Sequence, residues 1–255
     1  MKKKIAHNEL TIGSWLTLAH SSIAEIMCKA GFDWLVVDLE HSVITIREAE
    51  ELIRVINLSG VVPLVRLTSN NSDLIKRVMD AGSHGIIVPM VNTFEDAKRA
   101  IQSVRYPPLG TRGVGLARAQ GYGASFHDYL EWQEEKSIVI VQIEHIDAVG
   151  KLEEIFSVEG VDGYIIGPYD LSGSMGIPGQ FDHPDFLAAM KRINSVSLAM
   201  NMTGGIHVIE PEQEQLQQRI EEGYKFIAYS LDIRMLDVVC RTGLKSIKKW
   251  RKKIK

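Results

Sequence analysis

Two cysteines in 255 residues are too few for a disulfide framework. Cys28 and Cys240 both fall in apolar helical patterns and read as small buried hydrophobes of a reducing compartment, forming neither a disulfide nor a metal site. Charge of one sign is also lacking: a net charge of −3 gives no basic field of the kind that draws a protein to nucleic acid. No stretch approaches the ~18 apolar residues of a membrane-spanning helix, and residues 1–10 are basic without the apolar core of a signal peptide. A soluble, cytoplasmic protein with no nucleic-acid or membrane partner is therefore expected. No Gly-x-Gly-x-x-Gly follows the first predicted strand, and there is neither a Walker glycine-lysine loop nor a Gly-x-Ser-x-Gly elbow. These absences argue against a dinucleotide-binding sheet, P-loop chemistry and a serine hydrolase of the elbow type. There is no internal repeat and no low-complexity segment. The one charge run, residues 245–255 with seven Lys or Arg, reads as a solvated helix end favoured by the helix dipole.

What is present is an alternation of short apolar runs and amphipathic segments from end to end. The runs at 11–18, 32–39, 61–67, 85–91, 138–143, 163–166, 203–208 and 225–231 predict strands. Between and after them, the 3.6-residue period predicts helices over 23–29 with Ser22 as N-cap, 46–58 with Thr45 as N-cap, 73–80, 94–104, 126–135, 148–156, 184–199, 211–222 and 235–253. Residues 109–123, glycine-rich and carrying Arg112 and Arg118, form the one long irregular stretch. Eight strand–helix units without a linker predict a single α/β domain over 1–255, a (β/α)8 TIM barrel. An open doubly wound sheet is the alternative that the missing glycine fingerprint disfavours.

In such a barrel the chemistry sits at the C-terminal ends of the strands. The second strand ends in Asp38, Glu40 and His41, and the third in Arg66. The fifth ends in Glu144, and the sixth reaches Asp170 after a Gly-Pro turn. Glu144 and Asp170 lie about one βα repeat apart, on neighbouring strands. Two carboxylates without a nearby soft ligand suit a hard, oxygen-preferring divalent ion, or each pairs with a lysine or arginine. Gln142 shares the face of Glu144. Arg66 is either an anion clamp for a carboxylate or enolate, or a structural ion pair. His41, beside two acids, is either a general base or a rim histidine, and Glu40 faces the ion's water shell or pairs with a rim cation. His20, His84 and His127 read as surface residues; His145 and His207 stand near the mouth without an assigned role. No lysine at a strand end is placed for a Schiff base.

Taken together, Val37-Asp38-Leu39-Glu40-His41-Ser42, Val88-Pro89-Met90-Val91, Tyr106-Pro107-Pro108-Leu109-Gly110-Thr111-Arg112-Gly113, Val141-Gln142-Ile143-Glu144 and Val161-Asp162-Gly163-Tyr164-Ile165-Ile166-Gly167-Pro168-Tyr169-Asp170-Leu171-Ser172 resemble the HpcH/HpaI aldolases. The motifs occur in order over residues 13–232. The resemblance implies a pyruvate/phosphoenolpyruvate-type barrel and a class II aldolase acting on 2-keto acids. It further implies a homo-oligomer, a hexamer built as a trimer of dimers that exchange their last helix. By that resemblance Glu144 and Asp170 hold Mg²⁺, Mn²⁺ or Co²⁺, and His41 is the catalytic histidine. Arg66 binds pyruvate and stabilises its enolate, Asp38 and Asp80 are acids associated with His41, and Gln142 and the backbone of Ser172, Gly173 and Ser174 match the pyruvate-contacting region. Two departures, Glu144-His145-Ile146-Asp147 and Leu39, lie near the mouth and bear on which aldehyde is accepted.

The expected reaction is reversible cleavage of a 4-hydroxy-2-oxo acid, or a 2-keto-3-deoxy sugar acid, to pyruvate and an aldehyde. The rivals are a malyl- or citramalyl-CoA lyase on the same barrel and a non-catalytic barrel that binds a 2-keto acid.

Overall fold

The structure, a computed structural model, describes residues 1–251. Eight parallel strands close in sequence order into one barrel: β1 (Thr11–Leu16), β2 (Trp34–Asp38), β3 (Val62–Arg66), β4 (Gly85–Val88), β5 (Ile138–Ile143), β6 (Gly163–Ile166), β7 (Thr203–Val208) and β8 (Phe226–Leu231). The helices are α1 (Lys2–Ala6), α2 (Ser21–Lys29), α3 (Ile46–Leu58), α4 (Ser72–Asp80), α5 (Phe94–Val104), α6 (Phe126–Lys136), α7 (Ile146–Val149), α8 (Leu152–Phe156), α9 (Pro168–Ser174), α10 (Pro184–Ala199), α11 (Gln213–Glu221) and α12 (Asp232–Arg251). The predicted barrel is the observed fold, which removes the open-sheet alternative.

Strand residues divide by parity between two cores, as the pleat requires. One set, with Leu35, Val37, Val65, Ile86, Val139 and Val141, packs outward under the helices. The other fills the barrel with Trp15, Trp34, Val36, Leu64, Ile87 and Ile140. Trp34 stacks on Phe226 with ring centroids 4.1 Å apart, and Gly13 makes room for it: a Cβ there would lie 2.0 Å from the indole. Ile5 on α1 is 1% exposed and closes the N-terminal end of this inner core, a burial that stabilises by roughly 2 kcal/mol. Helix starts follow local capping chemistry. Thr45 and Glu48 form a reciprocal capping box on α3, and Asn71 and Thr93 cap α4 and α5.

Several sequence expectations need correction. β1 stops at Leu16, because the next two backbone N–H groups, of Thr17 and Leu18, donate to the Asp232 carboxylate and leave the strand ladder. β2 stops at Asp38, whose own carboxylate takes the N–H groups of Glu40 and His41 and turns the chain. Helix α2 begins at Ser21, capped by the His20 imidazole rather than Ser22. The segment 148–156 is two short helices, α7 and α8, and neither α1 nor α9 shows in the sequence pattern, since each is too short for a hydrophobic period to emerge. Cys240 is exposed on α12, while Cys28 is buried as expected; both are free thiols. His84 is not a surface residue: it bonds the Asn57 amide at 3.1 Å and meets Trp132 edge-on. The predicted end of the last helix at Lys253 lies outside the described residues. No helix among the described residues is long and apolar enough to cross a membrane.

Candidate active site

The parallel register places Asp38 directly opposite Arg66 on β2 and β3. Asp38 is 1% exposed, and its Oδ1 and Oδ2 accept from Arg66 Nε at 2.8 Å and Nη2 at 2.6 Å. Oδ1 also accepts the backbone N–H groups of Glu40 and His41, so this one carboxylate fixes both the arginine and the turn that follows β2. Asp38 therefore serves Arg66 and the backbone, and does not touch the His41 ring. Arg66 lies over the Trp15 indole at 4.4 Å, and its third nitrogen, Nη1, is 3.3 Å from Glu40 Oε2. The ion-pair reading of Arg66 is met, with Asp38 on one edge of the guanidinium and Glu40 near the other, and the side chain also lines the mouth.

Glu144 is 3% exposed at the end of β5. Its Oε1 accepts the Met90 N–H at 2.7 Å, and its Oε2 accepts the Gln142 amide. Met90 reaches it by adopting a left-handed φ of 52°, local strain at a functional position. Gly167 gives Glu144 its space, since a Cβ there would sit 2.8 Å from Oε2 and 2.9 Å from the Glu144 Cβ. Burial raises the Glu144 pKa, the Gln142 and Met90 hydrogen bonds oppose that, and the Asp170 charge adds to it. Asp170, in the first turn of α9 after β6, is near enough for its charge to act on Glu144, and it lines the mouth.

Glu40 belongs to this group more than the sequence reveals. Burial, with the charges of Glu144, Asp38 and Asp170, pushes its pKa up to about 7 against the pull of Arg66, and Oε2 has no partner in hydrogen-bonding geometry. In the unfolded chain the same carboxyl titrates near 4.5. Between those values the folded chain holds a proton that the unfolded chain has released, so this group destabilises the fold increasingly as pH rises. In metal-free protein Glu40→Gln is expected to raise the unfolding free energy at pH 8 by roughly 2 kcal/mol and to leave it unchanged at pH 4. Thermal unfolding at the two pH values checks this; an equal effect at both would refute it.

Beside these carboxylates a cavity of about 380 Å³ opens at the C-terminal end of the barrel, lined among others by Trp15, Asp38, His41, Arg66, Gln142 and Asp170. The His41 side chain is 64% exposed at its rim, with Nε2 3.8 Å from Glu40 Oε2. Asp80 does not join His41 within the chain: it ends α4 at the opposite end of the barrel and binds Arg112 at 2.6 Å. Ser172 and Ser174 do not line the cavity; their hydroxyls donate to the Tyr169 and Leu171 carbonyls and accept from the Gly179 and Ile146 N–H groups. Gly173 lies between them on α9. A second cavity, about 500 Å³, opens at the other end beside Arg54, His84, Arg118 and Trp132 and contains none of the predicted site residues.

Among the described residues no group of three or more His, Cys, Asp or Glu is arranged to hold a metal ion. Two carboxylates and an amide oxygen still fit a hard divalent ion, which keeps several waters of its own. The crowding of Glu40, Glu144 and Asp170 around a single arginine, with buried carboxyls raised in pKa, is the imbalance that such a cation relieves.

A parallel barrel whose C-terminal mouth gathers a buried Asp38–Arg66 pair and further carboxylates has the architecture of a (β/α)8 enzyme. The family model for HpcH/HpaI aldolase/citrate lyase matches residues 11–237, and the chain belongs to that family. It is 36% identical over 253 residues to a hydroxypyruvate/pyruvate aldolase of Roseobacter denitrificans, covering 98% of this chain and 96% of that protein. It is 34% identical over 237 residues to a 2-keto-3-deoxy-L-rhamnonate aldolase of Escherichia coli, covering 91% and 86%. Among solved structures, an HpcH/HpaI aldolase/citrate lyase family protein from Burkholderia cenocepacia superposes with a TM-score of 0.91 at 32% identity, covering 97% of this chain and 98% of that one.

Proposed function

We propose that this protein is a metal-dependent pyruvate aldolase, cleaving a 4-hydroxy-2-oxo acid or 2-keto-3-deoxy sugar acid reversibly to pyruvate and an aldehyde. The observation that carries the reading is the Arg66 guanidinium, fixed by Asp38 and lining the same cavity as Asp170 and Gln142, whose amide bonds Glu144.

Glu144 and Asp170, with Gln142 alongside, are the residues that would hold Mg²⁺, Mn²⁺ or Co²⁺. Bound there, the ion supplies electrophilic polarisation of a 2-oxo acid. Arg66 binds the substrate carboxylate and stabilises the enolate charge through Nη1, which lies beside Glu40, in a position that costs little reorganisation because Asp38 already holds the other edge. His41 removes the proton of the C4 hydroxyl, with Glu40 beside it as a partner able to share that proton near neutral pH. As the C4–O bond becomes a carbonyl, the C3–C4 bond breaks and its electron pair passes into the enolate. Protonation at C3 then gives pyruvate.

A coupled pyruvate-release screen over 4-hydroxy-2-oxo acids, sugar-derived ones included, tests the assignment. Release of pyruvate from at least one is expected; none from any, with metal present, would refute it. The CoA-lyase rival loses its basic surface, because Arg112 is 2% exposed and bound to Asp80, while Arg118 bonds the Ala81 carbonyl and Asn57. The non-catalytic rival is disfavoured by relatives that are themselves named as aldolases.

We also infer a homo-oligomer. Along α12, Leu236, Val239 and Leu244 are 57%, 72% and 60% exposed, an apolar stripe that a second copy of the chain would cover. Light scattering reporting the mass of one chain would exclude this.

A further inference from the structure

Trp15 on β1 is a large inner-core side chain at the mouth, and no step above uses it. It is 3% exposed, and its indole Nε1–H is buried without an acceptor among the described residues. A donor left in that state destabilises the fold, and a phenylalanine would pack the same position without one. What a phenylalanine lacks is the electron-rich indole face, the best aromatic surface for a cation.

That face carries a cation. Arg66 Cζ lies over it, 4.4 Å from the ring centroid. The Arg66 side chain is 14% exposed, so the contact is made away from most of the water that weakens such pairs at a surface. The two residues meet although β2 runs between their strands. Trp15 pairs with Val36, and Arg66 with Asp38 two residues further along β2, so the guanidinium reaches back over β2 to rest on the indole.

The backbone and a neighbouring ring fix the indole in turn. Gly13 pairs with Ala228 but Trp15 with Leu231, a bulge of the kind that re-aims side chains beside active sites. The His207 ring lies 5.6 Å from the Trp15 ring, tilted by 56°. Its Nε2 is 3.2 Å from the Ser230 carbonyl oxygen, which only accepts, so Nε2 carries the hydrogen. Burial keeps that ring neutral, pushing its pKa down to about 4, and it brings no second cation to the indole.

The restraints on Arg66 are complementary. The Asp38 fork holds Nε and Nη2, at 2.8 and 2.6 Å, and so fixes the guanidinium along its own plane. A fork leaves that plane able to hinge about the carboxylate, and Nη1, the nitrogen Asp38 does not hold, swings furthest. An aromatic face against the plane opposes that swing.

We propose that Trp15 is a positioning residue: its indole face keeps the Arg66 guanidinium flat, so that Nη1 stays aimed at the substrate carboxylate and the developing enolate. The inference rests on the aldolase reading and adds to it a residue that acts on the enolate through Arg66.

The test replaces Trp15 site-specifically by 5-fluoro-, 5,7-difluoro- and 4,5,6,7-tetrafluorotryptophan, which drain the ring face of electron density in steps while nearly keeping its size. The readout is kcat/KM for pyruvate C3 proton exchange by the metal-loaded protein. A stepwise fall is expected, reaching roughly tenfold at the tetrafluoro ring, with Trp15→Leu at least as low. In Arg66→Ala the residual exchange is expected to be indifferent to the same series. A flat series, even with Trp15→Leu impaired, overturns the inference, because packing alone would then account for the ring. An equal fall in Arg66→Ala overturns it as well, because the ring would then act other than through the guanidinium. Failure of the unaltered protein to exchange the C3 protons of pyruvate would overturn the aldolase reading and this inference with it; normal exchange with a flat series overturns this inference alone.

Discussion

Arg66→Ala is expected to slow pyruvate C3 proton exchange by about 10²–10³-fold, the loss that follows removal of one preorganised donor to a developing oxyanion. Aldol cleavage should fall in parallel, because both reactions pass through the same enolate. The same substitution strands Asp38, a carboxylate that is 1% exposed, and breaking one partner out of a buried pair costs about 3–5 kcal/mol of stability. The two effects separate. Adding Asp38→Asn to Arg66→Ala removes the stranded charge, so the melting temperature recovers while exchange does not. Arg66→Lys keeps a positive charge but cannot place two N–H groups on Asp38, and is expected to remain far below the unaltered rate. Exchange at the normal rate in Arg66→Ala would show that another group stabilises the enolate.

Removal of divalent metal should abolish exchange to at least about a thousandfold below the loaded protein, since the ion is assigned several kcal/mol of charge stabilisation. Mg²⁺, Mn²⁺ or Co²⁺ is expected to restore it, and unchanged activity after exhaustive chelation would sink the metal assignment. Two substitutions locate the ion independently of turnover, through Mn²⁺ binding measured by titration. Glu144→Gln removes half of the paired charge and should abolish tight binding. Gly167→Ala changes no ligand, but its Cβ would press on Glu144 at 2.8–2.9 Å, and displacement of a positioned group by about 1 Å is enough to cost roughly a hundredfold in rate. Undiminished Mn²⁺ affinity in both variants would place the ion elsewhere.

Much of this fold is legible in the sequence because barrel strands are short, apolar and bounded by polar residues, as in Ile138–Ile143 and Gly163–Ile166, whose limits match the structure. Site positions at strand ends are legible for the same reason: Arg66 and Glu144 interrupt or follow apolar runs. What the sequence withholds depends on contacts between distant residues. The partner of Asp38 is Arg66 rather than His41 because the β2–β3 register sets the two opposite each other, and register is not written in either strand alone. Asp80 ends α4, and a helix that returns to the N-terminal side of the barrel cannot deliver its last residue to the mouth of the same chain. The hydroxyls of Ser172 and Ser174 donate within α9 and accept from Gly179 and Ile146 beyond it, contacts fixed by a helix too short to leave a periodic signal. His207 shows in the sequence only as a residue near the mouth, since its tautomer follows from the Ser230 carbonyl on a neighbouring strand. The raised Glu40 carboxyl depends first on its burial and then on the positions of Glu144, Asp38 and Asp170.

The pairing of Asp38 with Arg66 also makes the site a reporter of its own assembly. Side chains alternate between the barrel's interior and its outer layer, so a slip of one residue between β2 and β3 would send Arg66 to the wrong face and leave Asp38 without a counter-ion. Such a chain would bury a lone carboxylate and present no guanidinium at the mouth, making it both unstable and inert. Loss of the native register between the second and third strands is therefore expected to remove stability and the guanidinium at the mouth together.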